Sequence, residues 1–103
     1  MDEIINEIYD EVKRRCMLPS NAYGIGAWDH HIELVYKIAT DNCSLYNADY
    51  DIVALASLLH DIASVTDKEF TEEHHIIGAE IADELLRKYE LTEEQIDLIK
   101  NVF

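Results

Sequence analysis

The chain has 103 residues, which suits one domain with a modest hydrophobic core and excludes two domains. Its 22 acidic and 8 basic side chains give a formal net charge of −14. That charge excludes sequence-independent binding to nucleic acid phosphates or to an anionic membrane surface. Because 49% of the residues are hydrophobic, the composition also excludes intrinsic disorder.

The first residues and the cysteines predict a cytoplasmic protein. Residues 1–4 carry acids where a secretory signal carries basic residues, and the run without ionised side chains at 52–60 is too short to span a bilayer. Cys16 and Cys43 stand far apart without a C-x-x-C pattern, so two free thiols are expected.

Hydrophobic periodicity predicts an all-α bundle of about five helices in a single domain over 1–103, since no period-two strand pattern occurs. The first helix is expected over about 2–16, and the segment 18–27 is expected to be a loop because it contains one proline and two glycines. The second helix is expected to begin near Trp28 and to end before Asn42. Its inward stripe is predicted to consist of His31, Leu34, Val35 and Ile38.

The third helix is predicted over about 50–64, with Asn47 or Asp49 as its N-cap. Its residues are apolar nearly all round, which is typical of a helix at the centre of a bundle.

The fourth helix is expected over about 72–89 and contains Gly78, which would permit close approach of a neighbouring helix. Thr92 and Gln95 form the pattern of a capping box, which predicts the start of a fifth helix that continues to Phe103.

The five histidines fall into three groups near predicted helix ends: His30-His31, His60 and His74-His75. Asp61 follows His60 in the most apolar helix, where an unpaired carboxylate would carry a large desolvation cost. A divalent metal would compensate that carboxylate, since imidazole nitrogen and carboxylate oxygen are common ligands. For one pair alone, a role in capping a helix or bonding to the backbone is the favoured interpretation. Three such groups together favour a metal site, because a helical bundle assembles ligands from facing helices.

Three blocks of sequence, WDHHIELVYKIA (28–39), LLHDIA (58–63) and HHIIGAEIA (74–82), resemble the HD-domain superfamily of metal-dependent phosphohydrolases. The resemblance covers about residues 28–86. It implies an HD-like helical bundle and a bound divalent ion, with Mn, Mg, Zn, Fe, Co and Ni all open, as is the number of ions.

Carried over by position, the resemblance implies that His31, His60 and Asp61 hold the metal. Asp61 would also be a proton acceptor. His74 would contact the substrate or protonate its leaving group. His30 is expected to face outward, because neighbouring helical residues point about 100° apart, and His75 is the weaker candidate beside His74.

Two positions depart from the family pattern. Where members that hydrolyse phosphate esters often have Gly-Lys, this chain has Ala63-Ser64, which leaves Lys68 as the nearest basic candidate for substrate binding. The last family aspartate lies on a later helix, and Asp97 comes too early to match it. These departures predict a fragment that lacks its C-terminal helices, or a natural short form with an incomplete site. The helical pattern that runs to the last residue favours the fragment, with weak or absent activity.

The sequence therefore predicts a metal-dependent phosphohydrolase acting on a small phosphorylated substrate, with no nucleic acid or membrane partner. The family resemblance implies that this substrate is nucleotide-like. Two alternatives stay open: a non-catalytic HD-like module that binds a metal or ligand, and an acidic interaction protein whose histidines are incidental. The exact substrate and the oligomeric state are not predicted.

Overall fold

A computed structural model describes residues 1–24, 26–46 and 48–101. The regular elements in these ranges are all helical, which confirms the predicted all-α class. The α-helices are α1 (Asp2–Cys16), α2 (Glu33–Asn42), α3 (Tyr50–Leu59), α4 (Ile62–Thr66), α5 (His74–Leu86) and α6 (Glu93–Lys100). A π-helical turn at Trp28–Ile32 precedes α2, and 3₁₀ turns occupy Cys43–Tyr46 and Lys68–Phe70. Among the described helices, none combines the length and apolar character needed to cross a bilayer.

The central helix of the bundle is α3, which packs against α1, α2 and α6. Six consecutive residues of α3, from Ala54 to Leu59, are buried, as the apolar composition of this segment predicted. The first helix buries a stripe with three- and four-residue spacing, which includes Ile5, Ile8 and Val12. The core therefore lies between α1 and α3, with α5 and α6 closing it through Leu86, Ile96 and Ile99.

The predicted third helix is wrong in one respect that matters for the site. It was expected to run continuously over 50–64, but α3 ends at Leu59 and α4 begins at Ile62. Asp61 has φ −119° and ψ 24°, outside the helical region, so the chain bends at the His60-Asp61 doublet. Asp49 caps α3 as predicted, through its side chain and the backbone N–H groups of residues 51 and 52.

Other predicted boundaries and positions need smaller corrections. The fourth helix spans His74–Leu86 rather than 72–89, and Gly78 is buried within it. Thr92 and Gln95 form the predicted capping box. Asn47, the alternative cap of α3, and the predicted continuation of α6 over 102–103 lie outside the described residues.

The predicted inward stripe of the second helix is also wrong. Leu34 and Ile38 are 51% and 55% exposed, and the buried residues of this region are Trp28 and Ile32. The π-helical turn explains the difference, because it holds more residues per turn than an α-helix and so changes the register of the helix that follows. As a result, α2 has no fully buried side chain.

The loop between α1 and the π-helical turn is fixed by the buried side chain of Asn21. Its Nδ2 donates to the carbonyls of Cys16 at 2.7 Å and Gly24 at 2.9 Å, while its Oδ1 accepts from the backbone N–H of Tyr23 at 2.8 Å. Gly24 has φ +75°, a left-handed conformation that favours glycine. The loop also joins α4, because the Ala22 N–H donates to the Ser64 carbonyl at 2.9 Å.

Both cysteines are free and buried, as predicted from their spacing. Cys16 ends α1 and is 1% exposed, and burial raises the pKa of its thiol to about 11. The thiol is therefore neutral at physiological pH.

Candidate metal centre

The structure brings together three of the predicted site residues from two parts of the chain. His31 comes from the π-helical turn, while His60 and Asp61 come from the bend between α3 and α4. The Oδ2 atom of Asp61 lies 2.7 Å from His31 Nε2 and 2.9 Å from His60 Nε2. One potential ligand atom from each residue lies within 4.8 Å of the other two.

His60 is oriented by the backbone of its own helix. Its Nδ1 lies 2.5 Å from the Ser57 carbonyl oxygen, and because a carbonyl only accepts, Nδ1 carries the proton. This bond fixes the ring and directs Nε2 toward Asp61. Histidine ligands in metal sites are commonly held by such a bond from the second ring nitrogen.

The π-helical turn that carries His31 is anchored by aromatic packing. Trp28, at the start of the turn, is 1% exposed and packs edge-to-face on Tyr9 of α1 at a centroid distance of 4.7 Å. The Tyr9 hydroxyl donates to Glu33 Oε2, just after the turn, at 2.9 Å. These contacts hold both ends of the turn against α1 and so fix the backbone that presents His31.

The electrostatics of the cluster favour an ionised carboxylate. The hydrogen bond from His60 lowers the pKa of Asp61 to about 2; burial opposes this shift, and His31 adds to it. Burial also acts to lower the pKa of His60, but its bonds to Asp61 and to the Ser57 carbonyl outweigh that effect and raise its pKa. Asp61 is thus in the form that binds a cation, and His60 would bind one only with its Nε2 deprotonated.

This donor set fits a divalent metal ion. Two imidazole nitrogens and one carboxylate oxygen match the ligands of zinc and of the other divalent transition metals. The side chains are half-buried to exposed, with exposed fractions of 45% for His31, 26% for His60 and 17% for Asp61. The cluster is therefore open to solvent on the His31 side, where a water molecule or substrate could complete the coordination.

Other predicted site residues do not join this cluster. His74 is half-buried at the start of α5, where its Nδ1 lies 2.8 Å from the Thr71 carbonyl and its ring stacks on His75. Lys68 is exposed in a 3₁₀ turn, with its backbone N–H bonded to the Ser20 carbonyl. The substrate roles of His74 and Lys68 therefore stay predictions. Asp97 is exposed on α6.

A cleft of about 420 Å³ borders the cluster at His31 and is lined by Tyr23, Gly26, Ala27, His30 and His31. His30 was predicted to face outward, and it is exposed, but it shares this cleft with His31. Sequence periodicity did not single out Tyr23, because it lies in a loop. A larger cavity of about 660 Å³ between α1 and α5 shares no lining residue with this cleft.

Comparison with known proteins assigns the chain to a family. The HD domain family matches residues 28–103, a range that contains the π-helical turn, the His60-Asp61 bend and helices α2 to α6. Searches among curated proteins and among solved structures gave no match. The matched range covers well over half of the chain, and the three clustered side chains lie inside it. The chain belongs to the HD domain family.

Proposed function

We propose that this protein is a metal-dependent phosphohydrolase that acts on a small phosphate ester of the nucleotide type. The observation that carries the proposal is the convergence of His31, His60 and Asp61 around a common point that is open to solvent. Three protein ligands with an open position are typical of catalytic metal sites, whereas structural sites are usually closed by four.

Each side chain of the cluster has a distinct part in this proposal. His31 and His60 would each offer Nε2 as a ligand, and the Ser57 carbonyl would hold the proton on the other nitrogen of His60. Asp61 would offer one oxygen as a ligand and could accept a proton from the attacking water. When bound, a divalent ion supplies Lewis acidity toward a phosphoryl oxygen and makes water a better nucleophile near neutral pH.

His74 and Lys68 are proposed to act on the substrate rather than on the metal. The Nδ1 of His74 is engaged by the Thr71 carbonyl, which leaves its Nε2 for a phosphate or a leaving oxygen. Lys68 would supply a positive charge for the phosphate. Both groups matter because a chain of net charge −14 repels a phosphorylated ligand at long range.

The first test measures metal coordination by the cobalt(II) absorption spectrum of the protein. The wild type is expected to give a Co²⁺ spectrum of low coordination number, and His60→Ala and Asp61→Ala are expected to lose it. His30→Ala is the matched control and should keep the spectrum, since His30 lies outside the ligand set. If the wild type binds neither Co²⁺, Mn²⁺ nor Zn²⁺, the proposed metal centre is wrong.

The second test measures inorganic phosphate released from nucleoside monophosphates by the Mn²⁺-loaded protein. We expect turnover that a chelator abolishes and that Asp61→Ala lacks. The same three ligands also suit a non-catalytic module that binds an ion without turnover. Metal binding without phosphate release from a panel of phosphomonoesters and cyclic nucleotides would favour that module over the hydrolase.

A further inference from the structure

We infer that the cleft lined by Tyr23, Gly26, Ala27, His30 and His31 binds the planar ring of a nucleobase, while the phosphate of the same ligand lies at the metal cluster. The inference rests on the proposed function and specifies which part of the substrate the protein recognises. It makes Tyr23 and His30 residues that determine specificity, although neither belongs to the metal cluster.

The position and shape of the cleft support this inference. His31 belongs both to the cleft and to the cluster, so a ligand in the cleft lies next to the metal site. The volume of about 420 Å³ is within the range of small-molecule sites. Apart from the two imidazoles and the tyrosine hydroxyl, the side chains of the lining residues are small and apolar, which suits an uncharged ring better than a second phosphate.

The aromatic surface in the cleft is available for stacking. Tyr23 is 49% exposed, and its ring centroid lies 5.8 Å from that of His31, with an angle of 59° between the planes. Tyr23 does not stand alone on the surface, because its ring lines the same concave cleft as the imidazoles of His30 and His31. Nucleobases stack on such rings with little dependence on which base is present, because every base has a π-face.

The loop that carries Tyr23 is held in place before any ligand binds. Asn21 bonds to the backbone at three points, including the N–H of Tyr23 itself. Ala22, which lies between Asn21 and Tyr23, donates its backbone N–H to the Ser64 carbonyl of α4. Stacking of a ligand on Tyr23 therefore carries little entropic cost for ordering the loop, and preorganisation of this kind favours binding.

Gly26 keeps space for His30 in the same cleft. A Cβ atom at position 26 would lie 2.9 Å from Cδ2 of the His30 ring, closer than such atoms approach each other in proteins. The backbone of Gly26 does not have positive φ, so alanine is compatible with the backbone, and only the His30 ring would have to move. Gly26→Ala thus changes the cleft through His30.

The decisive experiment is adenosine binding to the metal-free protein, followed by two-dimensional NMR, because adenosine carries no phosphate and needs no metal. Wild-type protein is expected to show saturable shifts around Tyr23 and His31. Tyr23→Ala should weaken binding about tenfold, which corresponds to the ordinary contribution of one stacked base, and Tyr23→Phe should retain it. Tyr50→Ala is the control, since Tyr50 is similarly exposed but lies at the start of α3. Absence of saturable binding by wild type would overturn the inference.

A second arm compares adenosine monophosphate with ribose 5-phosphate in the presence of Mn²⁺, since these ligands share the sugar and phosphate but differ in the base. We expect adenosine monophosphate to bind about tenfold more tightly and Tyr23→Ala to remove the difference. Equal affinity in the wild type would overturn the inference even if both compounds were hydrolysed. Adenosine binding without metal binding or phosphate release would instead contradict the proposed function alone.

The variants also separate recognition from folding. If Tyr23→Ala unfolds, as judged by circular dichroism, Gly26→Ala provides the test, because it alters the cleft without removing a packed side chain. This variant is expected to weaken adenosine binding and to leave Co²⁺ binding in place. Unchanged adenosine affinity in a folded Gly26→Ala protein would exclude His30 from the site.

Discussion

Asp61 illustrates how a single side chain can define a site. Its Oδ2 atom contacts both His31 and His60, although these histidines come from different elements. The pairing was predictable from the sequence because a carboxylate in an apolar segment needs compensation. The family resemblance then implied which of the five histidines provides it, and the structure places those two histidines beside Asp61.

Asn21 is the residue whose loss should most disturb the site without touching it. Replacing it by alanine leaves the carbonyls of Cys16 and Gly24 and the N–H of Tyr23 without these partners. We expect Asn21→Ala to lower the free energy of unfolding by about 2 kcal/mol, measured by urea denaturation, and to weaken adenosine binding.

The control for this prediction is Asn6→Ala, since Asn6 is an exposed residue of α1. Its effect should stay within about 0.5 kcal/mol. Equal stability of the two variants would show that the three Asn21 bonds do not hold the loop.

Sequence reasoning at this scale found the candidate metal ligands but missed Asn21 and Tyr23. Histidine and aspartate can be recognised as candidate metal ligands from residue type alone. Their clustering in the sequence and the desolvation cost of a buried carboxylate were therefore enough to single them out. A buried loop asparagine gains its importance from backbone groups that converge in three dimensions, and no periodic pattern in the sequence encodes that convergence.

At the scale of elements, the capping box of α6 was predicted and confirmed. Thr92 Oγ1 accepts from the Gln95 N–H at 3.1 Å, and Gln95 Oε1 accepts from the Thr92 N–H at 2.9 Å. Thr92→Ala is expected to destabilise the protein by about 1 kcal/mol, measured by thermal unfolding. Thr92→Ser should lose much less stability than Thr92→Ala. An equal loss of stability in both variants would argue against the cap as the cause.

Helix α1 contains an ion pair of Glu11 with Arg14 and Arg15, and the strength of this pair depends on pH. The bond from Arg14 lowers the pKa of Glu11 from 4.5 to about 2, with burial opposing and Arg15 adding to the shift. Arg15 also donates to Thr66 Oγ1 of α4 at 3.0 Å. Because the folded-state pKa is lowered, the stabilisation is present above pH 4.5 and is lost as the pH falls toward 2.

We therefore expect Glu11→Gln to destabilise the protein by about 1 kcal/mol at pH 7, a value that allows for the partial exposure of the pair. The difference from wild type should shrink when urea unfolding is repeated at pH 3. Glu84→Gln, at an exposed position of α5, is the control and should show a much smaller pH-dependent difference. A constant Glu11→Gln difference at both pH values would contradict the assigned ion pair.

The π-helical turn and the bend at Asp61 were the features of the elements that the sequence did not predict. Both break the 3.6-residue periodicity on which helix prediction depends, and both occur where a site residue is presented. Elsewhere, α1 agrees with its predicted range, because its spacing and charges all favour the same helix.

At the scale of the whole molecule, the cluster connects two segments that lie about thirty residues apart in sequence. An ion bound there would hold the π-helical turn to the α3–α4 bend in the folded state only. We expect Mn²⁺ at 100 times its dissociation constant to raise the Tm by about 10 °C, measured by circular dichroism.

Asp61→Asn is the control for this prediction and should remove the metal-dependent part of the shift. An equal increase in that variant would mean that Mn²⁺ stabilises the protein through its general acidic surface. The net charge of −14 makes this control necessary, since surface carboxylates also attract divalent ions.

Because the thiol of Cys16 is buried, its chemical reactivity reports local opening of the structure around it. Its sulfur lies where α1 ends, and the backbone carbonyl of the same residue accepts from Asn21. Alkylating reagents react with exposed thiolate, so Cys16 reacts only when this region opens. In a Cys43→Ser background, the rate of Cys16 labelling would therefore time the release of the loop that presents Tyr23.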